Sequence, residues 1–507
     1  MLKKNLLFFI LILGGLVLIY LPILKEEFVF NDDYFIWVMD KSKGCSTHPQ
    51  FDYFFFIGRP LFPILVCPFW MAVERIRVLN LVRLFNILAL SISAFLFFKW
   101  LTKNSLKRVE SLLLTLIIFS LPTFQTQVVL ANSFPHTVAL IFSILAGFFL
   151  YKGSFNLNTF KDFLNNRYIF SSLVFLILTL MIYPPLAMFS WVIALVPLLY
   201  KEDFFKLERK KFFYIVFLVL IACGIYFLYL KINSSILENK KIPSEIIGEH
   251  YVRLTFNLGR SFLLFIKGFF SSLCLWRVIP NKMLALFSLS IILSGFIVKS
   301  IKFARREGLR FFFRNVDKIL YLALFLPLSM LPNLVSPLYV ISYRMLSAIS
   351  SVVVLFLFFS LRELSVFLLR RKANLFINII LFTSLLWGAY LAHYNYNNFI
   401  ILQSKKELNY LKESLRRYQG EKIKAVNIVR PRFFNFLHYR QTFPTDVDEF
   451  GLLSSSFPQN IKGMFRCAVK EAKIDLRRMI DRKSSQVLTI DMDKVALPLL
   501  KYNEKYK

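Results

Sequence analysis

Acidic residues are scarce in this 507-residue chain: 30 Asp+Glu stand against 63 Lys+Arg, and glycine supplies only 16 positions. The five cysteines and five histidines show no metal-ligand spacing. No Walker-type phosphate loop, no GxGxxG after a strand, no GxSxG elbow and no HExxH helix occurs. Soluble nucleotide-binding, hydrolase and metalloprotease templates therefore have no support. A water-covered surface is excluded as well, because 57% of the residues are hydrophobic, against roughly 45–50% in soluble domains.

What is present in abundance is apolar length. There are 59 Phe residues, the mean hydropathy is +0.58, and many runs approach the roughly 20 residues that cross a hydrocarbon core. The expected fold class is an all-α polytopic membrane protein. Hydropathy places spans at 5–24, 79–98, 109–125, 134–151, 168–182, 185–200, 212–231, 283–300, 319–335, 345–363 and 374–394, about eleven helices. The first run exceeds a signal-peptide core and lacks a small-residue cleavage site, so it reads as a retained span. Segments 60–74, with three prolines, and 257–277, with Arg260 and Lys267, read as interfacial helices on the outer surface.

The net charge of +33 would suggest nucleic acid in a soluble protein. Here much of it gathers in short loops between apolar runs: Lys99, Lys103, Lys107 and Arg108; Lys201 to Lys211; Lys302 to Lys318; Arg370 to Lys372. Alternate loops are nearly uncharged. The positive-inside rule puts the basic loops and the N-terminus in the cytoplasm. Residues 396–507 then follow the membrane domain (1–395) as an extracytoplasmic α/β domain. It should hold a helix over 397–419, a strand at Lys424–Val429, a helix over 459–480 and a strand at Val487–Met492. Cys45 and Cys67 fall in the first outer loop, 25–78. Two free thiols are expected there, with a disulfide as the alternative.

Polar residues expected on the outer side form one layer. Asn31-Asp32-Asp33-Tyr34 follows the first span, and Gly58-Arg59-Pro60 precedes the next clear one. Adjacent carboxylates above hydrocarbon repel each other and lose hydration, so at least one should hold its proton more tightly. Such a group can accept a proton from an attacking hydroxyl. The plainer reading is a solvated loop start. Arg59 and Arg344 suit an anionic phosphate, because a guanidinium forks onto its oxygens; snorkelling is the ordinary alternative for Arg59. Arg83, a turn inside the second span, reads as snorkelling outward, with a functional role as the alternative. His136 and Tyr183 sit at the same level and suit either the interfacial belt or a substrate. Glu245, Glu249 and His250 lack metal spacing. Asp448 to Gly451 with Ser454-Ser455-Ser456 reads as a turn and cap before Gln459, with hydrogen bonding to an acceptor sugar as the alternative.

Taken together, Asn31-Asp32-Asp33-Tyr34, Gly58-Arg59-Pro60-Leu61, Tyr183-Pro184-Pro185 and Tyr343-Arg344 resemble the GT-C class of integral membrane glycosyltransferases. The likeness is to bacterial serotype-converting glucosyltransferases and relatives of the dolichyl-phosphate-mannose-type mannosyltransferases. It covers roughly residues 1–395 by topology, and its motifs are short. It implies a polyprenyl-phosphate sugar donor on the outer face of a bacterial cytoplasmic membrane, with a glycan, lipid or protein acceptor and usually inversion at the anomeric carbon. Asp32 would be the base with Asp33 its partner, and Arg59 and Arg344 would hold the lipid phosphate. Tyr34, Tyr183 and His136 would complete the substrate site. No cofactor is assigned, and a divalent metal stays open. A polysaccharide polymerase or ligase, and a lipid-linked-sugar flippase or transporter, are the rival expectations. Nucleic acid is not an expected partner.

Overall fold

Apolar runs in a non-aqueous layer fold as helices, because a helix satisfies nearly all of its backbone groups internally. The computed structural model describes residues 2–38, 41–45, 51, 54–55, 57–154, 166–201, 205, 209–238, 258–279, 281–334, 342–419, 421–431, 453–456, 458–479 and 486–495. In chain order its main helices are α1 (Leu2–Ile19), α2 (Leu61–Ala72), α3 (Ile76–Lys103), α4 (Arg108–Phe119), α5 (Pro122–Val129), α6 (Phe134–Ser154), α7 (Arg167–Ile182) and α8 (Phe189–Tyr200). They continue as α9 (Arg209–Glu238), α10 (Leu258–Leu273), α11 (Lys282–Glu307), α12 (Asp317–Leu328), α13 (Ser347–Leu369), α14 (Ala373–Tyr396) and α15 (Leu402–Arg417).

The protein is a mainly helical membrane protein. Each of the eleven apolar runs contains a helix, but not every helix has the length of a span. Among the described residues five helical stretches are long and apolar enough to cross a membrane, or six if one bent pair counts as a single span. The long stretch from Ser347 to Arg417 contains both α13 and α14. Exposed Phe213 and Leu228 on α9, Phe287 and Ile297 on α11 and Trp387 on α14 form apolar faces that only lipid or another apolar surface would cover. The interior is aromatic: Trp191 is fully buried, its ring edge-on to Phe325 at 5.5 Å.

Three sequence expectations change. The single span at 109–125 is two helices, α4 and α5, meeting at 62°. Leu121 is extended and Pro122 opens α5, where a missing N–H costs nothing. Cys45 and Cys67 form a disulfide, with Cα atoms 5.9 Å apart, instead of two free thiols. Lys41 explains the approach: its ammonium donates to Met71 O (2.9 Å) and Val73 O (2.5 Å) at the end of α2, folding the loop back on that helix. The helix expected over 459–480 ends at Ala472 as α16 (Pro458–Ala472). Lys473 takes φ +56, and a short turn of helix, Leu476–Met479, follows.

Beyond α14 the chain does not leave the bundle through a loose linker. A π turn, Asn397–Ile401, joins α14 directly to α15. Strands β1 (Ala425–Val429) and β2 (Val487–Asp491) pair in parallel, with Ala425 opposite Val487 and Val429 opposite Asp491. Leu408, Leu411 and Leu415 are buried on α15, against which α16 packs. Asp448 to Gly451, Glu245, Glu249 and His250 lie outside the described residues.

Candidate functional site

The acidic motif folds as a tight 3-10 turn, Asn31–Trp37. Asn31 adopts φ +44, a conformation asparagine tolerates better than most residues. The turn sends its two carboxylates to different places. Asp33 goes inward and is fully buried, whereas the side chain of Asp32 retains 35% of its exposure.

Asp33 is held from both sides. Its Oδ2 lies 3.2 Å from the Arg83 guanidinium, and its Oδ1 accepts the backbone N–H of Asn132 at 3.1 Å. Burial pushes its pKa up to about 6, against the opposing pull of Arg83 and of backbone N–H groups; the neighbouring Asp32 is the smallest contributor. The expected tightly held proton thus belongs to the withdrawn carboxyl, and lost hydration rather than mutual repulsion is the main cause.

Arg83 does not snorkel. It is fully buried in α3, and its guanidinium lies 3.9 Å from the Phe28 ring. It donates to Val129 O (2.8 Å), Asn80 Oδ1 (3.0 Å) and Phe28 O (3.1 Å) besides Asp33. Asn86, three residues on, donates to Leu130 O at 2.9 Å. Together they satisfy carbonyls at the end of α5 that have no helical partner, and a cation suits that end. Sequence reading missed Asn80, Asn86 and Asn132. The available signal was the polar spacing 80, 83, 86 in an otherwise apolar span, since intramembrane polar groups rarely lack partners.

Asp32 faces Arg344, whose NH1 lies 3.5 Å from Oδ2, with side chains 35% and 23% exposed. Arg344 sits in the turn Tyr343–Met345 that opens α13, and this turn packs on α5. Gln127 of α5 donates to Ser347 Oγ at 2.8 Å, fixing α13 against this short helix.

Arg59, Tyr183 and His136 form a second group. Gly58, at φ +81, lets the chain turn where a Cβ would meet Leu230 of α9 at 2.1 Å. Arg59 then lies 4.8 Å from the Tyr183 ring centroid, and Tyr183 lies 3.9 Å from the His136 ring. His136 is buried, and neither ring nitrogen has a hydrogen-bond partner among the described residues. Such a group costs roughly 1–3 kcal/mol unless something pairs with it. Asn132, four residues before His136, donates through Nδ2 to Asp32 O at 3.2 Å, which links the two groups along the chain.

Tyr34 is placed differently from Arg344 and His136. It is fully buried, and its backbone oxygen would lie 2.1 Å from a Cβ on Gly463 of α16. Tyr34 therefore packs the turn against α16. The same contact is sewn by Asn31 N–H to Ser454 Oγ (3.0 Å), Asn460 Nδ2 to Asn31 Oδ1 (2.8 Å) and Arg466 to Val38 O (2.8 Å). Instead of the expected cap before Gln459, Ser454 and Ser455 hold α15: both backbone N–H groups donate to the Glu407 carboxylate, at 3.1 and 3.0 Å. Burial pushes Glu407, on α15 beyond the last apolar helix, up to about 7, against those hydrogen bonds. The acidic turn is thus clamped between bundle and C-terminal elements.

Among the described residues no three His, Cys, Asp or Glu side chains gather to hold a metal ion. No protein-family model matches the chain, and no curated protein matches it either.

Proposed function

We propose that this protein is a membrane glycosyltransferase that transfers a sugar from a polyprenyl-phosphate carrier to an acceptor on the outer face of a bacterial cytoplasmic membrane. The observation that carries the reading is the division of labour between adjacent acids. Asp33 is consumed by Arg83 and Asn132, while Asp32 stays half-exposed beside Arg344. A catalytic base needs rigid support and access at once, and this turn supplies both. In this reading Asp32 takes the acceptor hydroxyl's proton, the oxygen forms its bond to C1, and the C1–O bond to phosphate breaks with the electron pair leaving on phosphate. Arg344 exchanges its long, partly screened contact with Asp32 for the phosphate, and Arg59 reaches it from the Tyr183 side. His136 supplies an N–H donor that has no partner among the described residues. Asp33 and Arg83 are positioning residues. Eleven spans with the N-terminus inside are part of the proposal. The Cys45–Cys67 disulfide supports an oxidising compartment for the loop of Asp32.

A second reading, a lipid-linked-sugar flippase, draws on the bent pair α4–α5 and on buried Arg83, since broken helices and intramembrane charges mark transporters. Lipid extraction and mass spectrometry of the purified protein, followed by carrier-binding titration, test the proposal. A polyprenyl-phosphate sugar should co-purify, and Arg344→Ala should weaken its binding on the order of 10-fold or more, a charge-assisted contact. Movement of the carrier between leaflets with its C1–O bond intact would favour the flippase.

A further inference from the structure

A second polar site lies at the opposite end of the bundle. A cavity of about 750 Å³ opens among the N-terminus of α1, the C-terminus of α3, the start of α4 and the end of α6. Six cations line it: Lys4, Lys99, Lys103, Lys107, Arg108 and Lys152. All six are exposed, and no carboxylate lines the cavity among the described residues. Its apolar floor includes Trp100 and Phe148, whose rings lie 4.7 Å apart. Arg83 and Lys103 stand near opposite ends of the same 28-residue α3. Twenty residues of helix separate them, about 30 Å at 1.5 Å per residue, the thickness of a hydrocarbon core. The cavity and the Asp32 site therefore belong to opposite membrane surfaces.

Topogenic charge alone does not require this arrangement. Loop lysines that orient a protein work from any exposed position. Here they ring a cleft with an aromatic floor, and the cleft is large enough for a head group and the start of a chain. Charge and shape select the same occupant: phosphate oxygens for the rim and hydrocarbon for the floor.

We infer that this cleft binds the phosphate head group of an anionic glycerophospholipid from the leaflet opposite the Asp32 site, with its first acyl carbons against Trp100 and Phe148. Each basic residue near a membrane surface contributes about five-fold to such binding. The site is independent of the transferase proposal and is read by a different assay.

The test uses full-length protein, delipidated in detergent and titrated with defined lipids under native mass spectrometry. Phosphatidylglycerol should bind saturably and phosphatidylcholine should not. The double variant Lys103→Gln, Lys107→Gln should bind phosphatidylglycerol on the order of 30-fold more weakly. Both side chains are exposed, so folding should be preserved, and an unchanged melting temperature checks this. Inorganic pyrophosphate is the probe for a soluble ligand: saturable binding of pyrophosphate that phosphatidylglycerol does not displace overturns the lipid assignment. Equal retention of phosphatidylglycerol by wild type and variant overturns the site itself, as does equal binding of phosphatidylcholine.

Discussion

Removing Arg83 should damage stability far more than removing any charge at the site's opening. In Arg83→Met the Asp33 carboxyl stays fully buried and keeps the Asn132 N–H, while Val129 O and Phe28 O lose a donor. Breaking a buried pair by deleting one partner costs about 3–5 kcal/mol. Asp33→Asn should cost less, because Arg83 keeps three other acceptors and the amide oxygen still meets a donor. The double variant should fall short of the sum by about 1–3 kcal/mol, the coupling of groups in direct contact. The pH dependence has a defined sign. Asp33 titrates at about 6 in the fold against 3.8 unfolded, so its contribution favours the native state below about pH 4. That contribution, about 3 kcal/mol, is lost as pH rises through 6. Without Arg83 the folded pKa rises further, so the Arg83→Met penalty should be smaller at pH 4, where the orphaned Val129 and Phe28 carbonyls still contribute, than at pH 8. Denaturant unfolding in a mild detergent at both pH values measures all of this. A penalty below 1 kcal/mol at pH 8, or single costs that simply add, would refute the argument that this pair anchors the acidic turn.

Other outcomes follow from single contacts. Gly463→Ala places a methyl 2.1 Å from the Tyr34 carbonyl, so α16 must retreat; a loss of about 1–3 kcal/mol and faster proteolysis of residues 453–472 should appear together. Replacing both Cys45 and Cys67 by serine opens a loop of sequence separation 22, and thermal unfolding should show a loss of about 3 kcal/mol. Labelling with a membrane-impermeant thiol reagent after reduction should reach these cysteines from outside intact cells, and protection would reverse the proposed orientation.

The sequence made most of the helices legible because hydropathy alone sets them: α3, α6, α11, α13 and α14 fall on their predicted runs. Both C-terminal strands also appear within a residue of expectation, from their β-branched, alternating pattern. The break between α4 and α5 was hidden inside a continuous apolar run, where Pro122 was its one local mark. Asp32, Arg344, Arg59, Tyr183 and His136 were legible as candidate polar residues, whereas the pairing of Asp32 with Arg344 and the packing of Arg59, Tyr183 and His136 on one another were not. The separate fates of Asp32 and Asp33 could not be read, because the decision is made by Arg83 and Asn132, 50 and 99 residues away. Tyr34 stands beside the acids in sequence and packs elsewhere, since a 3-10 turn directs successive side chains to different sides.

The central claim rests on one oxygen atom pair. Purified protein in lipid nanodiscs, supplied with polyprenyl-phosphate-linked sugar and acceptor, should transfer sugar, and Asp32→Asn should lower the rate by about 10²–10⁴. Its melting temperature should stay nearly unchanged, because a half-exposed pair with Arg344 contributes about 0–1 kcal/mol. Transfer at the wild-type rate by a folded Asp32→Asn protein would contradict the account.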